Sequence, residues 1–233
     1  PFLEFRKSEA VVYNEGLSSR KLLCIERRIN LEDIWLERYA FKNKPFDHQR
    51  EYLQRFWKKP VAALFADMGT GKSFMVINNI AMLYDVGKVN SALIIAPKGV
   101  YRNWVDQELP KHLPDHILHR TALWTPNPRK AEKIGLEKLW DVSDDLKILV
   151  MNVEALSTKK GMEYAKRFAM YTKCFMAIDE STTIKTPTAK RAKNVLKVGQ
   201  QALYRRIMTG SPVTRSPMDL YQQCAFLSEE CLD

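Results

Sequence analysis

The sequence lacks the features typical of membrane-spanning, secreted and zinc-binding proteins. No apolar run reaches the roughly 18 residues that a membrane-spanning helix requires. The first residues carry no charged-then-apolar leader, so we expect an intracellular protein. The cysteines form no C-x-x-C pair, and we expect them to be reduced thiols rather than disulfides or zinc ligands. They are Cys24, Cys174, Cys224 and Cys231.

Positive charge, in contrast, is in excess. Lys and Arg total 37 against 27 for Asp and Glu, which gives a net charge of +10 and a pI near 9.4. This balance favours a polyanionic partner such as nucleic acid, although a solvated basic surface would have the same composition. With 233 residues, 45% of them hydrophobic, the chain is long enough for one large domain with its own core.

The order of apolar runs predicts an α/β fold with a mostly parallel sheet that helices cover on both faces. From residue 45 onward, short apolar runs alternate with longer amphipathic ones, as in strands joined by crossover helices. The strand candidates are 61–66, 92–96, 118–124, 146–151, 174–178 and 205–208. The helix candidates are 73–85, 100–109, 128–140, 153–168, 188–198 and 217–227. Residues 1–44 break the pattern, so we expect an N-terminal appendage of unknown role before a domain at 45–233.

Residues 66–73 have the form of a phosphate-binding loop, A-D-M-G-T-G-K-S, between an apolar run and a helical one. Its glycines allow the backbone to turn so that N–H groups and the start of the helix point at phosphates. Lys72 can then reach the β- and γ-phosphates, and the Ser73 hydroxyl can ligate Mg²⁺. The sequence therefore predicts that ATP and Mg²⁺ bind here, through Gly69, Thr70, Gly71, Lys72 and Ser73.

An acidic pair, Asp179 and Glu180, directly follows the apolar run 174–178. An ATPase needs one carboxylate for the metal and its waters, and usually a second to polarise the attacking water. We assign Asp179 to the metal and Glu180 to the role of catalytic base, on a strand end adjacent to the phosphate loop. Most acidic dipeptides are simply solvated, but this one accompanies a phosphate loop and a buried-looking strand.

Two further segments offer groups for the adenine base and for nucleic acid. Gln49 carries an acceptor and a donor that suit the N6/N7 edge of adenine. Phe46 is equally suited to packing against the base or within the core. Pro97 and Lys98 directly follow a strand, where they could grip a phosphodiester or form an ordinary turn.

A basic stripe and a polar strand end complete the candidate residues. Lys190, Lys193 and Lys197 recur at helical spacing opposite apolar positions, which suits either solvent or a phosphate backbone. Thr209 and Gly210 follow the last predicted strand and offer a hydroxyl and free N–H groups. If their strand neighbours that of Asp179, we expect them to couple the nucleotide state to domain movement.

Together these segments resemble the motifs of superfamily two helicases, in the Swi/Snf-like branch of DNA translocase ATPases. The loop has the A-x-x-G-x-G-K-S form of that superfamily, which accounts for Ala66 where the general pattern has glycine. The other motifs follow in order: the glutamine motif at 46–49, motif Ia at 93–98 with Asn103 and Trp104, motif Ib at 151–156, motif II at 179–182 and motif III at 208–212. The resemblance covers residues 45 to about 230 and points to a phage or bacterial member.

The resemblance implies a RecA-like P-loop NTPase domain that couples ATP hydrolysis to movement on DNA, mainly through contacts to the duplex backbone. It adds Asn152 to Pro97 and Lys98 as nucleic-acid contacts. Family members also carry a second RecA-like domain with motifs IV to VI and arginine fingers, and we expect this partner domain beyond Asp233. The chain alone would then hydrolyse ATP slowly. We expect a cytoplasmic location in a bacterial or phage-infected cell, or a nuclear one in a eukaryote.

One departure from the family pattern concerns communication between motifs. Motif II usually ends in a histidine, and here Thr182 occupies that place. The resemblance therefore does not identify the residue that connects the nucleotide site with motif III.

Other functions remain open from sequence. An RNA helicase of the same superfamily would share these motifs, and so would a nucleotide-gated DNA-binding module without efficient hydrolysis. A small-molecule kinase with the same phosphate loop is disfavoured because it leaves the acidic pair and residues 209–212 unexplained.

Overall fold

The computed structural model describes residue 36 and residues 38–228, and the chain divides into two compact units, 1–41 and 42–233. The described part of the first unit is short. The appendage at 1–44 and its boundary therefore remain predictions, and Cys24 and Cys231 lie outside the described residues.

Parallel strands in the described residues form one sheet with the order β1-β6-β5-β2-β4-β3. The strands are β1 (Val61–Phe65), β2 (Ser91–Ala96), β3 (His119–Leu123), β4 (Leu146–Asn152), β5 (Cys174–Asp179) and β6 (Tyr204–Thr209). Each matches a strand candidate to within one residue at either end. The predicted α/β fold is confirmed.

The helices agree less closely with the sequence pattern. The α-helical segments are α1 (Asp47–Phe56), α2 (Lys72–Asp85), α3 (Tyr101–Asn103), α4 (Leu109–His112), α5 (Lys130–Lys138), α6 (Lys159–Tyr171), α7 (Lys190–Gly199) and α8 (Tyr221–Leu227). A π-helical turn, Trp104–Glu108, joins α3 to α4. The candidates 153–168 and 217–227 each begin as a 3-10 turn, Val153–Ser157 and Pro217–Leu220, rather than as an α-helix. Helix α1 was not predicted.

Both faces of the sheet are covered, as continuous apolar strands require. In β2, Leu93 and Ile95 belong to a core cluster that includes Phe168 of α6 and Val195 of α7. The intervening side chain of Ile94 points to the opposite face and is also fully buried. Burial of such a side chain contributes about 1.5–3 kcal/mol, so the central strands are the most strongly fixed part of the fold.

The parallel register brings the strand ends that carry the candidate residues to a common edge. Asp179 pairs with Met208, and Phe65 pairs with Thr209. The neighbouring position of Thr209 and Asp179 is thereby confirmed. Strand β6 lies between β1 and β5, so the expectation that the phosphate loop and the acidic pair sit on adjacent strands is wrong. Two strand spacings, about 9–10 Å, separate them, which leaves room for a ligand.

A fully buried arginine fastens α1 to the sheet. The guanidinium of Arg206, in β6, donates to the backbone oxygens of Phe56 (3.0 Å), Lys59 (2.7 Å) and Pro60 (3.2 Å), and to Oδ1 of Asn79 (3.0 Å). Carbonyl oxygens at the end of a helix carry partial negative charge, so they compensate the buried cation. Arg206 thereby fixes the helix that carries Gln49.

We expect Arg206→Met to lower the free energy of unfolding by about 2–4 kcal/mol, because several buried carbonyl oxygens would lose their donor. Urea denaturation measures this. Arg55→Met is the matched control, since Arg55 makes an exposed ion pair with Glu51 that is worth about 0.5 kcal/mol or less. Equal effects of the two substitutions would contradict the role assigned to Arg206.

Candidate functional site

The phosphate loop between β1 and α2 has the backbone conformation that its glycines were expected to supply. Gly69 and Gly71 both have positive φ, 81° and 80°, in the left-handed region that favours glycine. Gly71 is the N-cap of α2, and no acidic residue occupies the first turn of that helix. The start of α2 therefore offers backbone N–H groups and a positive dipole end to an anion.

Within the loop, the side chains of Lys72 and Thr70 hold the turn together. The Lys72 ammonium donates to the carbonyl oxygens of Ala66 (2.9 Å) and Asp67 (3.0 Å). The Thr70 hydroxyl donates to the same Asp67 oxygen at 2.8 Å. The Lys72 ammonium therefore lies over the loop, in a position to interact with a bound triphosphate.

The predicted adenine-reading glutamine is already engaged by the protein. Gln49 is buried; its Nε2 donates to the Thr70 carbonyl oxygen at 3.0 Å, and its Oε1 accepts from the Phe46 N–H at 3.0 Å. An adenine edge would have to compete with these bonds, so the base-reading role remains a prediction. Phe46 is 68% exposed and stacks on the His48 ring, so a core role for Phe46 is wrong.

The carboxylate of Asp179 lies at the end of β5, where its orientation is fixed from two sides. Trp104 Nε1 donates to Oδ2 at 2.9 Å, and the Glu180 N–H donates to Oδ1 at 3.0 Å. Burial raises the pKa of Asp179, while the Trp104 hydrogen bond opposes this shift. The Glu180 charge raises the pKa further, and the Glu180 N–H and the Lys72 charge lower it. A cation near Asp179 would relieve the cost of burying its charge.

Glu180 has a backbone conformation that aims its carboxylate at β6. It is the non-glycine residue with positive φ (48°) in the described chain, a conformation that costs about 1 kcal/mol and is often found at functional sites. Its Oε2 accepts from the Thr209 hydroxyl at 2.9 Å. The Thr209 carbonyl oxygen in turn accepts from the Ala66 N–H at 3.3 Å. Thr209 therefore connects the acidic pair to the first residue of the phosphate loop.

The donor set at this edge fits Mg²⁺. The Ser73 hydroxyl and the carboxylates of Asp179 and Glu180 are hard oxygen ligands, which Mg²⁺ prefers over nitrogen or sulfur. A carboxylate accepts about four hydrogen bonds or metal contacts, so the bonds to Asp179 leave capacity for a metal or its waters. The described residues contain no cluster of His, Cys, Asp and Glu that would hold a metal unaided.

The candidate nucleic-acid residues differ in their exposure to solvent and in their hydrogen bonds within the protein. Lys98 is exposed after β2, beside the half-buried Pro97. Asn152 accepts from the Ala155 N–H at 2.7 Å, so its acceptor caps the turn after β4. The predicted basic stripe on α7 is exposed along its length, at Lys190, Lys193 and Lys197. Gly210 lies next to the loop at Met68, consistent with a shared edge.

Two functional residues were not assigned from sequence. Trp104 was noted only as part of a motif, yet it orients Asp179 across 75 residues of chain. Gln223 carried no sequence signal, and it is fully buried beside the acidic pair, with its Oε1 accepting from the Ser181 hydroxyl.

Cys174 is buried, and burial raises the pKa of its thiol to about 12, which agrees with an inert reduced thiol.

Residues 47–233 match the SNF2-related domain family. The DNA excision repair protein ERCC-6-like of Danio rerio is 25% identical over 212 residues, 83% of this chain and 13% of that protein. The chromatin-remodeling ATPase INO80 of Aspergillus oryzae is 27% identical over 191 residues, 78% of this chain and 12% of that protein. The chain thus spans about an eighth of the length of these curated relatives.

Solved structures show the same fold. The Sulfolobus solfataricus SWI2/SNF2 ATPase core in complex with dsDNA has a TM-score of 0.63 at 23% identity, over 82% of this chain and 37% of that chain. The UvsW helicase of bacteriophage T4 has a TM-score of 0.60 at 15% identity, over 84% of this chain and 64% of that chain. The predicted RecA-like helicase fold is therefore confirmed. In the part of the chain that the structure describes, no helix has the length and apolar character to cross a membrane.

The two glycines of the loop give a matched pair of substitutions. A Cβ at Gly69 would meet open space, whereas a Cβ at Gly71 would lie 2.3 Å from Gln49 Nε2. We expect Gly69→Ala to cost about 1 kcal/mol of unfolding free energy for its positive φ. Gly71→Ala should cost at least about 1 kcal/mol more, because it also displaces Gln49.

Urea denaturation of the single variants and of Gly71→Ala with Gln49→Ala measures the coupling. The double variant should be more stable than the sum of its single effects predicts, since removing Gln49 relieves the clash. Additive effects would contradict the contact.

Proposed function

Because this chain belongs to the family of SNF2-related domains, we propose that it is an ATP-binding motor domain that couples ATP hydrolysis to movement on duplex DNA. The observation that carries the proposal is the common sheet edge. There the phosphate loop, the acidic pair and Thr209 are linked by hydrogen bonds.

Each side chain at that edge has a distinct proposed role. Lys72 and the N–H groups of residues 69–73 bind the β- and γ-phosphates, for which the ammonium exchanges its loop carbonyl partners. Ser73 and Asp179 hold Mg²⁺, which when bound neutralises developing phosphate charge. Glu180 accepts a proton from the attacking water, and the Thr209 hydroxyl keeps its carboxylate in place.

Features of the carboxyl edge support nucleic acid as the partner. Helices α6 and α7 begin at Lys159 and Lys190, and neither has an acidic residue in its first turn. The helix dipole ordinarily favours carboxylates at this position, so these ends suit an external anion such as a phosphodiester. The solved relative with dsDNA supports a duplex, and the net charge of +10 supports backbone contacts.

We further propose that a second RecA-like domain completes the motor. The chain spans only 12–13% of its curated relatives, and the active sites of such motors need positive charge from a partner at the γ-phosphate. Arginine fingers of this kind accelerate hydrolysis by about 10³–10⁵. The isolated chain should therefore bind ATP but turn it over slowly, and full DNA-stimulated turnover by the chain alone would contradict this.

The nucleotide site is tested by separating binding from hydrolysis. We expect Lys72→Ala to weaken binding of Mg²⁺·ATP at least about tenfold in titration calorimetry, since it removes the charge that faces the phosphates. Glu180→Gln should keep binding but abolish hydrolysis in the intact motor, because an amide cannot accept the proton.

Lys88→Ala, an exposed lysine outside the site, is the control and should change neither quantity. Unchanged binding by Lys72→Ala, or retained hydrolysis by Glu180→Gln, would refute the corresponding role.

Nucleic-acid binding is tested by removing the stripe. Alanine at Lys190, Lys193 and Lys197 should weaken binding to duplex DNA and flatten its salt dependence, by up to about 0.9 in log–log slope per lost phosphate contact. The control triple, Lys59, Lys88 and Lys173 to Ala, removes the same charge near the opposite ends of the strands.

Fluorescence anisotropy with duplex DNA and duplex RNA at several salt concentrations provides the measurement. If both triple variants lost the same DNA affinity, the three lysines of the stripe would contribute only through net charge and not as a binding surface. If the wild-type chain bound duplex RNA more tightly than duplex DNA, the RNA helicase hypothesis would be favoured instead.

A further inference from the structure

The loop that follows β6, residues 210–219, is connected to the turn that follows the acidic pair, Ser181–Ile184, through Gln223 of α8 and through Lys185, the residue after the turn. We call these the β6 loop and the β5 turn. The two segments are far apart in sequence, and the contacts between them are made by side chains rather than by sheet pairing.

Gln223, in α8, is the centre of this connection. Its Oε1 accepts from the Ser181 hydroxyl at 2.5 Å, and its Nε2 donates to the backbone oxygens of Pro212 (2.9 Å) and Asp219 (2.7 Å). Gln223 and Ser181 are both 0% exposed. Since water cannot replace these partners, breaking the bond would leave buried polar groups unsatisfied.

A second tie lies toward the surface. Asp219 accepts from the Thr214 N–H (2.9 Å), the Arg215 N–H (2.8 Å) and Lys185 Nζ (3.4 Å). The Thr214 hydroxyl, which donates to the same carboxylate at 2.7 Å, contributes most to holding the pKa of Asp219 well below its usual range, and the two N–H bonds and the Lys185 charge lower it further. Lys185 follows the β5 turn directly and is bonded to the β6 loop, whereas Ser181, at the start of the turn, reaches that loop through Gln223.

The connection begins one residue after Glu180, whose carboxylate is bonded to Thr209. The acidic pair is therefore connected to the β6 loop by two routes, through Thr209 along the chain and through Ser181 to Gln223. The second route also reaches α8, the last described helix before residue 228.

We propose that Gln223 is a positioning residue that transmits the nucleotide state from Ser181 to the β6 loop and α8, and this inference rests on the proposed function. The contact to the acidic pair's turn is made by the hydroxyl of Ser181, the residue before Thr182.

Hydrogen exchange with mass spectrometry tests this on the 233-residue chain, with and without Mg²⁺ and a non-hydrolysable ATP analogue. In the wild type we expect the analogue to slow exchange of peptides from both the phosphate loop and the β6 loop, roughly threefold or more. In Ser181→Ala, the phosphate loop should still be protected, but the β6 loop should lose at least about half of its nucleotide-dependent protection.

Ser181→Ala removes only the link to the β5 turn, because Gln223 keeps its bonds to Pro212 and Asp219. A merely structural role would raise exchange equally with and without nucleotide. Gln223→Met removes the acceptor of the Ser181 bond together with the donor to Pro212 and Asp219, and it should give at least the same loss of nucleotide-dependent protection. Ser216→Ala, in the β6 loop, is the matched control, since its side chain makes no capping bond.

The outcomes distinguish a failure of the role proposed for Gln223 from a failure of the proposed function. Full β6-loop protection in Ser181→Ala and in Gln223→Met would overturn the role of Gln223, and so would a wild-type β6 loop that does not respond to nucleotide. Absence of protection in the wild-type phosphate loop would overturn the proposed function itself, and the inference would fall with it.

Discussion

The parallel pairing of β6 with both β1 and β5 is the constraint on which the site depends. It sets Thr209 beside Phe65 on one side and places Met208 beside Asp179 on the other. A one-residue slip in either register would turn Thr209 to the opposite face and break its bond to Glu180. The buried strands that flank this edge resist such a slip because their side chains fill the core on both faces.

Local strain and buried charge are concentrated where this edge meets solvent. Glu180 adopts a left-handed conformation, Asp179 carries a raised pKa, and the Trp104 indole emerges from a π-helical turn. Each is unfavourable in isolation, and such features cluster at functional sites. Away from this edge, the buried charge of Arg206 is compensated by the carbonyl oxygens of Phe56, Lys59 and Pro60.

The sequence was sufficient for the strands and the phosphate loop, because both are local patterns. Continuous apolar runs such as 92–96 identify buried parallel strands, and the glycines of the loop occur where positive φ is needed. Helix α1 was not predicted because its buried residues are only Gln49, Tyr52 and Leu53, which are too few to show the apolar periodicity of a helix.

The contacts of Trp104 with Asp179 and of Gln223 with Ser181 span 75 and 42 residues. No local pattern encodes a partner at that distance, so these positioning residues become visible only in three dimensions. Phe46 illustrates the same limit: the first residue of the glutamine motif suited the base and the core equally well from sequence, and its exposure follows from its place just before α1.

We expect one triphosphate and its metal to occupy the edge between the loop at 66–73 and the acidic pair. A crystal structure of the chain with Mg²⁺ and a non-hydrolysable ATP analogue would show whether they do. Lys72 Nζ should leave the carbonyl oxygens of Ala66 and Asp67 for a phosphate oxygen within about 3 Å. Mg²⁺ should lie about 2.1 Å from Ser73 Oγ and contact Asp179 directly or through a water. A nucleotide bound elsewhere, or a metal remote from Asp179, would refute the proposed nucleotide site.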